Sequence, residues 1–476
     1  MRFGPFISSK LIAPTDAINA QTDFTRYFAQ SGKPAHLWAV GAEIELFGFT
    51  RDGLQRIDPD QVQAIINGFA SQTISHVIED GYVTEALIRR GEPENANRQS
   101  SYPSFSPSPL FPHQAIGRLT LEPGGQVEFS GAPARSLVEI ESALSDYTKR
   151  LTEIGEENRI IFVAAGFDPL RKLQEQKWIP KRRYEIMRPY LETRGPRAWD
   201  MMCRTAAIQV NLDYKDIEDL AKKFALATRL APVAAAIFAN SPFENGELSG
   251  YKSTRYRVWL DTDPDRTGPS PIALEDNFTI ERFVDYVSEV PMFFVRRADE
   301  YINIAGHSFS EYLAGCGCPM TPIFRDFTDH LTTIFTEARL KPHIEQRSMD
   351  CGSTRMTMAA LAFWKGLMYD PDTLDRALRI APKLNRSEYQ ELQLEVARHG
   401  LEAEINGAPV ITLAEDAIGL ARAGLDAIAP NESHYLDALD EFVRGERASA
   451  ADILIRNFQG SWHGRIQKAI DYMRID

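Results

Sequence analysis

The chain has 476 residues, 43% of them hydrophobic and 25% charged, and 53 Lys and Arg against 66 Asp and Glu give a net charge of −13. These values exclude collagen-like and wholesale disordered architecture, and the acidic balance argues against nucleic acid or an anionic membrane as the main partner. Four cysteines are too few for a disulfide scaffold, the opening MRFGPFISSK has no signal-peptide apolar core, and the longest nearly apolar run, 231–239, is too short to span a bilayer; a soluble, cytoplasmic protein is expected.

Five stretches alternate as strands do, with helical patterns between them. In the first, 38–49, the run Gly41-Ala-Glu-Ile-Glu-Leu-Phe47 throws Glu43 and Glu45 to one side and Ile44 and Leu46 to the other. Two carboxylates that close repel unless water or a cation separates them, so a solvated face and a cation site both fit. Residues 92–113, EPENANRQSSYPSFSPSPLFPH, are crowded with Ser and Pro and read as a flexible insertion. The second stretch, 117–129, sets Glu122 and Glu128 on either side of Pro-Gly-Gly with Gln126 in phase; Gly124 and Gly125 permit a turn, a bulge or a close backbone approach. Residues 136–157 carry apolar residues three and four apart and read as a helix.

The third stretch, 202–214, places Thr205, Ala207, Gln209 and Asn211 on one face. A helical segment with an acidic start and an Ala-rich end follows over 216–239. The fourth stretch, 254–260, puts Arg255 and Arg257 on one face, where surface ion pairing is the simplest alternative to a binding role. The fifth, 339–348, lines up Arg339, Lys341, His343, Glu345 and Arg347, and Pro342 marks it as an edge or irregular strand. The tail, 370–476, reads as mostly helical, with Asn431-Glu-Ser433 as a helix start.

Strands and helices do not alternate regularly, which favours an α+β fold with a largely antiparallel sheet over a doubly wound one. The strands aim carboxylates, amides and guanidinium groups at one concave surface. Such a surface calls for Mg²⁺, or Mn²⁺, because hard cations take carboxylate and phosphate oxygens. A stripe of cations with one acid suits a triphosphate such as ATP plus a metal ion. GxxxxGK[ST], GxGxxG and HExxH are all absent, so ATP bound here is held by metal and the cationic strand.

The runs GAEIELFGF, LTLEPGGQVEFSG, PKRRYEIMRPY, WDMMCRTAAIQVNLDY, FANSPFENGELSGYKSTRYRVWLDTDPDRTG, VDYVSEVPMFF and DHLTTIFTEARLKPHIEQRSMD resemble the plant and proteobacterial type of glutamate–cysteine ligase, within the carboxylate–amine ligase superfamily related to glutamine synthetase. The resemblance covers residues 33–370 and runs more loosely to the C-terminus. It implies a curved, glutamine synthetase-like sheet packed against helices, with a catalytic core over 1–370 and a mostly helical part, 371–476, on the same core. It implies ATP-dependent joining of the L-glutamate γ-carboxylate to L-cysteine through a γ-glutamyl phosphate, the first step of glutathione biosynthesis.

By the same resemblance Glu43, Glu45, Glu122, Glu128 and Glu345 are metal ligands, with Gln209 a weaker one. Arg347 steadies the transferring phosphoryl group, Lys341 and Arg339 lie along the ATP phosphates, and Arg204, Arg255 and Arg257 meet substrate carboxylates. The partners implied are small molecules, for a monomer or homodimer. Plant members are tuned by disulfides; Cys203, Cys316, Cys318 and Cys351 show no pairing by spacing, and no redox switch is expected. Three other readings are a ligase with a different amine acceptor, a kinase of guanidino compounds, and a non-catalytic descendant. The last is disfavoured because Glu43, Glu45, Glu122, Glu128, Glu345 and Arg347 are all present.

Overall fold

A computed structural model describes residues 13–18, 22–90, 115–298 and 300–475; the Ser/Pro-rich insertion 92–113 lies outside them. At the centre is one open, fully antiparallel sheet of nine strands: β1 (Val40–Thr50), β2 (Thr73–Glu79), β3 (Tyr82–Arg89), β4 (Ala115–Leu121), β5 (Val127–Gly131), β6 (Ile160–Val163), β7 (Ala207–Leu212), β8 (Ala338–Leu340) and β9 (Ile344–Asp350). The order is β8-β9-β7-β1-β5-β4-β3-β2, and β6 pairs with the second half of β1. The long β1 is the hub, because its first half pairs with β5 on one side and β7 on the other.

Period-two alternation decides which way the sheet faces. Ile44, Leu46, Val127, Phe129, Ile208 and Val210 are buried on the back, where helices cover them. Helix α1 (Leu137–Asn158), capped by the Ser136 side chain and ended by left-handed Arg159, packs behind β1, β5 and β6. The front is closed by three short helices: α2 (Arg182–Glu192), α3 (Ala198–Arg204) and α6 (Thr254–Leu260). Between the last two in the chain lie α4 (Ile217–Arg229) and α5 (Ala231–Ile237), which pack against β9. Helix α7 (Thr354–Tyr369) returns behind β1 and β7 and meets α8 (Val410–Ile428) of the tail.

Several elements differ from their sequence-based assignments. Residues 254–260 form helix α6, not a strand: the Ser253 side chain accepts from the Tyr256 N–H and caps a first turn, and seven residues are too few for alternation to exclude a helix. The stretch 202–214 begins as the end of α3, and only Ala207–Leu212 is strand. Residues 117–129 and 339–348 are each a hairpin, not one strand; in the second, the Lys341 N–H bonds to the His343 carbonyl across the turn at Pro342. The helix over 216–239 breaks at Leu230, with Pro232 in the first turn of α5. Asn431-Glu-Ser433 sits inside a 3₁₀ stretch, Pro430–Leu436.

The tail is mostly helical and is tied to the sheet. Lys365 of α7 pairs with buried Glu432 at 2.6 Å, and the other Glu432 oxygen accepts the Leu137 N–H at the start of α1. The chain end runs beside β6, where Ala164 N–H bonds to Met473 and Ile475 N–H to Phe162.

Candidate active site

Cross-strand register turns separate sequence motifs into rows on the front face. One row reads Glu85, Thr120, Glu128, Glu45 across β3, β4, β5 and β1, and the Ala207 N–H donates to Glu45 at 2.7 Å. The next reads Arg118, Ser130, Glu43, Gln209, and a third runs from Gly41 through Asn211 and Glu345 to Arg339. Neighbours in a row lie close enough to interact directly. Together with α2, α3 and α6 they enclose a cavity of about 320 Å³.

Nine of the sequence-assigned residues line this cavity: Glu43, Glu45, Glu122, Glu128, Gln209, Arg255, Arg339, Lys341 and Arg347. Acids occupy one wall. Burial, followed by repulsion from Glu345, pushes the Glu43 carboxyl up to about 7, against the pull of Lys341 and the Asn211 amide. Burial with Glu122 and Glu128 nearby holds Glu45 well above the usual carboxylate range, despite Arg255 and Arg347. Glu128 is raised for the same reasons, although Thr120 and Ser130 donate to it. For these three acids burial and mutual repulsion outweigh the nearby positive charge. Among the described residues, no three His, Cys, Asp or Glu side chains converge as a ready metal cage.

Cations occupy the opposite wall. Glu345 is fully buried, and its oxygens accept from Arg339, from Lys341 at 3.2 Å and from Arg347 at 3.4 Å. Burial pushes its carboxyl up, but the three cations outweigh that and hold it well below the usual range. Glu345 therefore organises the cationic wall and has its oxygens already engaged. Gln209 bridges the two walls: its amide oxygen accepts from Arg347 and its amide nitrogen donates to Glu45 at 3.3 Å. A bulge in β9 between Gln346 and Met349 aims Arg347 inward, and Arg255 secures it by donating to the Arg347 and Ser348 carbonyls at 2.7 and 3.2 Å.

Two assigned arginines stand elsewhere. Arg204, at the end of α3, is buried over Phe167 and pairs with Asp200 and Glu244. Arg257 pairs with Asp261 at 2.6 Å, outside the cavity, because on a helix residues two apart point to nearly opposite sides. Neither lines the site.

With this geometry established, residues 39–471 match the model of glutamate–cysteine ligase family 2. The chain belongs to that family. It is 35% identical over 443 residues to the chloroplastic glutamate–cysteine ligase of Arabidopsis thaliana, covering 92% of this chain and 80% of that protein. It is 35% identical over 454 residues to the chloroplastic glutamate–cysteine ligase A of Oryza sativa subsp. indica, covering 94% of this chain and 86% of that one. In fold it is similar to the Francisella tularensis glutamate–cysteine ligase solved in complex with AMP, at a TM-score of 0.51 and 11% identity, over 92% of this chain and 87% of that chain.

This glutamate–cysteine ligase family member also brings residues to the cavity that the strand patterns did not mark. Lys181 and Arg183, at the start of α2, face the acid wall; burial and Arg183 lower the Lys181 ammonium to about 8, against the pull of Glu122, Glu85 and Glu128. Arg183 donates to the Tyr184 hydroxyl, which donates to the Leu121 carbonyl at 3.1 Å. The signal was present in Lys181-Arg-Arg183, three cations opening a helix. Trp259 shares the cavity with Arg255, four residues before it on α6, and a helical reading of that segment would have put both on one face. Met187, Met201, Met202 and Phe335 complete an apolar end that only tertiary packing assembles. The four cysteines are free thiols, with Cys316 alone exposed. Among the described residues, no helix is long and apolar enough to cross a membrane.

Proposed function

We infer that this cavity joins the γ-carboxylate of L-glutamate to the amine of L-cysteine with ATP, giving γ-glutamylcysteine, ADP and phosphate, the first step of glutathione synthesis. The observation that carries this reading is the pairing of a wall of clustered carboxylates with a preorganised cation wall in one cavity. A carboxylate approaching a triphosphate is a meeting of two anions, and only fixed positive charge makes it favourable.

Arg339, Lys341 and Arg347, held in register by Glu345, lie where they offset phosphate charge. Arg347 is braced by Gln209 and by Arg255 through its carbonyl, so its guanidinium is fixed before the substrate arrives. A γ-carboxylate oxygen attacks the γ-phosphorus and ADP leaves; the amine nitrogen then attacks the acyl carbon, the C–O bond to phosphate breaks, and the amine gives up a proton. Lys181 and Arg183 on the far rim supply charge for a substrate carboxylate, and the Met and Trp259 end suits a small, polarizable thiol. The carboxylate oxygens of Glu43, Glu45, Glu122 and Glu128, clustered on one side of the cavity, are the hard donors that would hold Mg²⁺ or Mn²⁺. Bound there, the ion would neutralise phosphate charge and polarise the transferring group.

The test is release of ADP from ATP and glutamate with each of a panel of amines. Release that requires cysteine supports the reading. Release that is indifferent to the amine, or that proceeds fully with glutamate alone, overturns it.

A further inference from the structure

Arg56 lies outside the cavity and takes no part in the chemistry above, yet its side chain is only 1% exposed. The chain turns after β1 and comes back, bridging Arg56 to Phe49, so the guanidinium lies 4.7 Å from the Phe47 ring centre and 5.4 Å from that of Phe49. Its Nη2 donates to the Gly124 carbonyl at 2.6 Å. Its Nε is 3.8 Å from Asp168, whose carboxylate also accepts the Leu170 and Arg171 N–H groups and the Gln176 amide. Among the described residues, Nε and Nη1 of Arg56 have no hydrogen-bond partner. Burying a guanidinium with two unpartnered nitrogens is costly, and Asp168 offsets only part of that cost.

What the guanidinium does touch is the turn between Glu122 and Glu128. That turn is fitted tightly: a Cβ on Gly124 would meet the Cys203 carbonyl oxygen at 2.3 Å, and Gly125 has φ +79°. The Ile179 N–H holds the Pro123 carbonyl at 2.8 Å, and the Gln126 amide holds the Thr205 carbonyl at 2.8 Å. Beside the pairing of β5 with β1, Arg56 ties the turn itself to β1, the strand of Glu43 and Glu45. We propose that Arg56 is a positioning residue that locks the Pro123–Gly125 turn to β1 and so sets how Glu122, at the head of that turn, stands towards Glu45 as a cation ligand. The inference rests on the metal-binding part of the proposed function.

The experiment measures Mn²⁺ binding to the full chain by electron paramagnetic resonance of the free ion, for the wild type, Arg56→Lys and Arg56→Gln, with thermal melts in parallel. Wild type binding Mn²⁺, with both folded variants binding it roughly ten- to a hundredfold more weakly, is the expected result. High Mn²⁺ should then restore much of kcat, which a general loss of fold would not allow. Unchanged Mn²⁺ affinity in a folded variant overturns the proposal. So does failure of both variants to fold, which would make Arg56 a requirement of the whole domain. Absence of Mn²⁺ binding by the wild type is a separate outcome that removes the metal reading itself and this inference with it.

Discussion

Glu345, fully buried, and Glu45, half-buried, both stand on the front of the same sheet, and their surroundings push them in opposite directions. Three cations satisfy Glu345, while Glu45 faces two further acids, so one organises charge and the other waits for it. Arg347→Ala removes the guanidinium that touches both Glu345 and Gln209; turnover is expected to fall about a hundredfold or more with the fold retained, checked by steady-state kinetics beside circular dichroism. Glu43 gives a pH prediction. Its folded-state value of about 7 lies above the ordinary 4.5, so the native state holds a proton that the unfolded state has lost. That contribution is fully present below 4.5, declines as pH rises towards 7, and is gone above it. Metal-free Glu43→Gln should lack this decline and be more stable than wild type at neutral pH, by up to about 3 kcal/mol. Thermal melts across that range check it; identical pH profiles for the two proteins would contradict it.

Whole strands and turns carry the second level of the account. Gly124→Ala drives a Cβ into the Cys203 backbone, and neither partner is a flexible side-chain tip, so a loss of about 1–3 kcal/mol is expected, with activity falling alongside. Differential scanning calorimetry measures it. The elements legible in the sequence are those with long two-residue alternation: Glu43, Glu45, Glu122 and Glu128 fall on the front face because Ile44, Leu46, Val127 and Phe129 must be buried behind. Where the period failed, the site assignment failed with it. Residues 254–260 are short enough to read either way, and the strand reading paired Arg255 with Arg257, whereas the helix sends them to different places. Glu345 stands in phase with its cations, but that its oxygens are spent on them follows from the β8–β9 hairpin pairing, which spacing does not encode. Arg118 stands in phase with Thr120 on β4 and Lys181 opens a run of three cations, whereas Met202 reaches the cavity by packing alone.

At the scale of the whole molecule, the tail packs against the helices behind the sheet. Glu432 accepts from Lys365 of α7 and from the first N–H of α1, two helices that back the catalytic face. Glu432→Ala would leave the Lys365 ammonium buried with the Arg135 carbonyl as its one remaining partner among the described residues, and unfolding in urea should shift by about 3–5 kcal/mol as one transition. Separate transitions for the tail and the sheet would show that the two parts are not coupled in this way. Acids from β1 and β5, cations from β8 and β9 and helices from the intervening chain meet only because the sheet order places β1 at its centre. The central claim is that these walls drive a glutamate carboxylate onto the γ-phosphorus of ATP. The most direct measurement uses glutamate labelled with ¹⁸O in its γ-carboxylate, with ATP and cysteine, and mass analysis of the phosphate released. One labelled oxygen in each phosphate is the expected result, and unlabelled phosphate formed together with γ-glutamylcysteine would contradict the account.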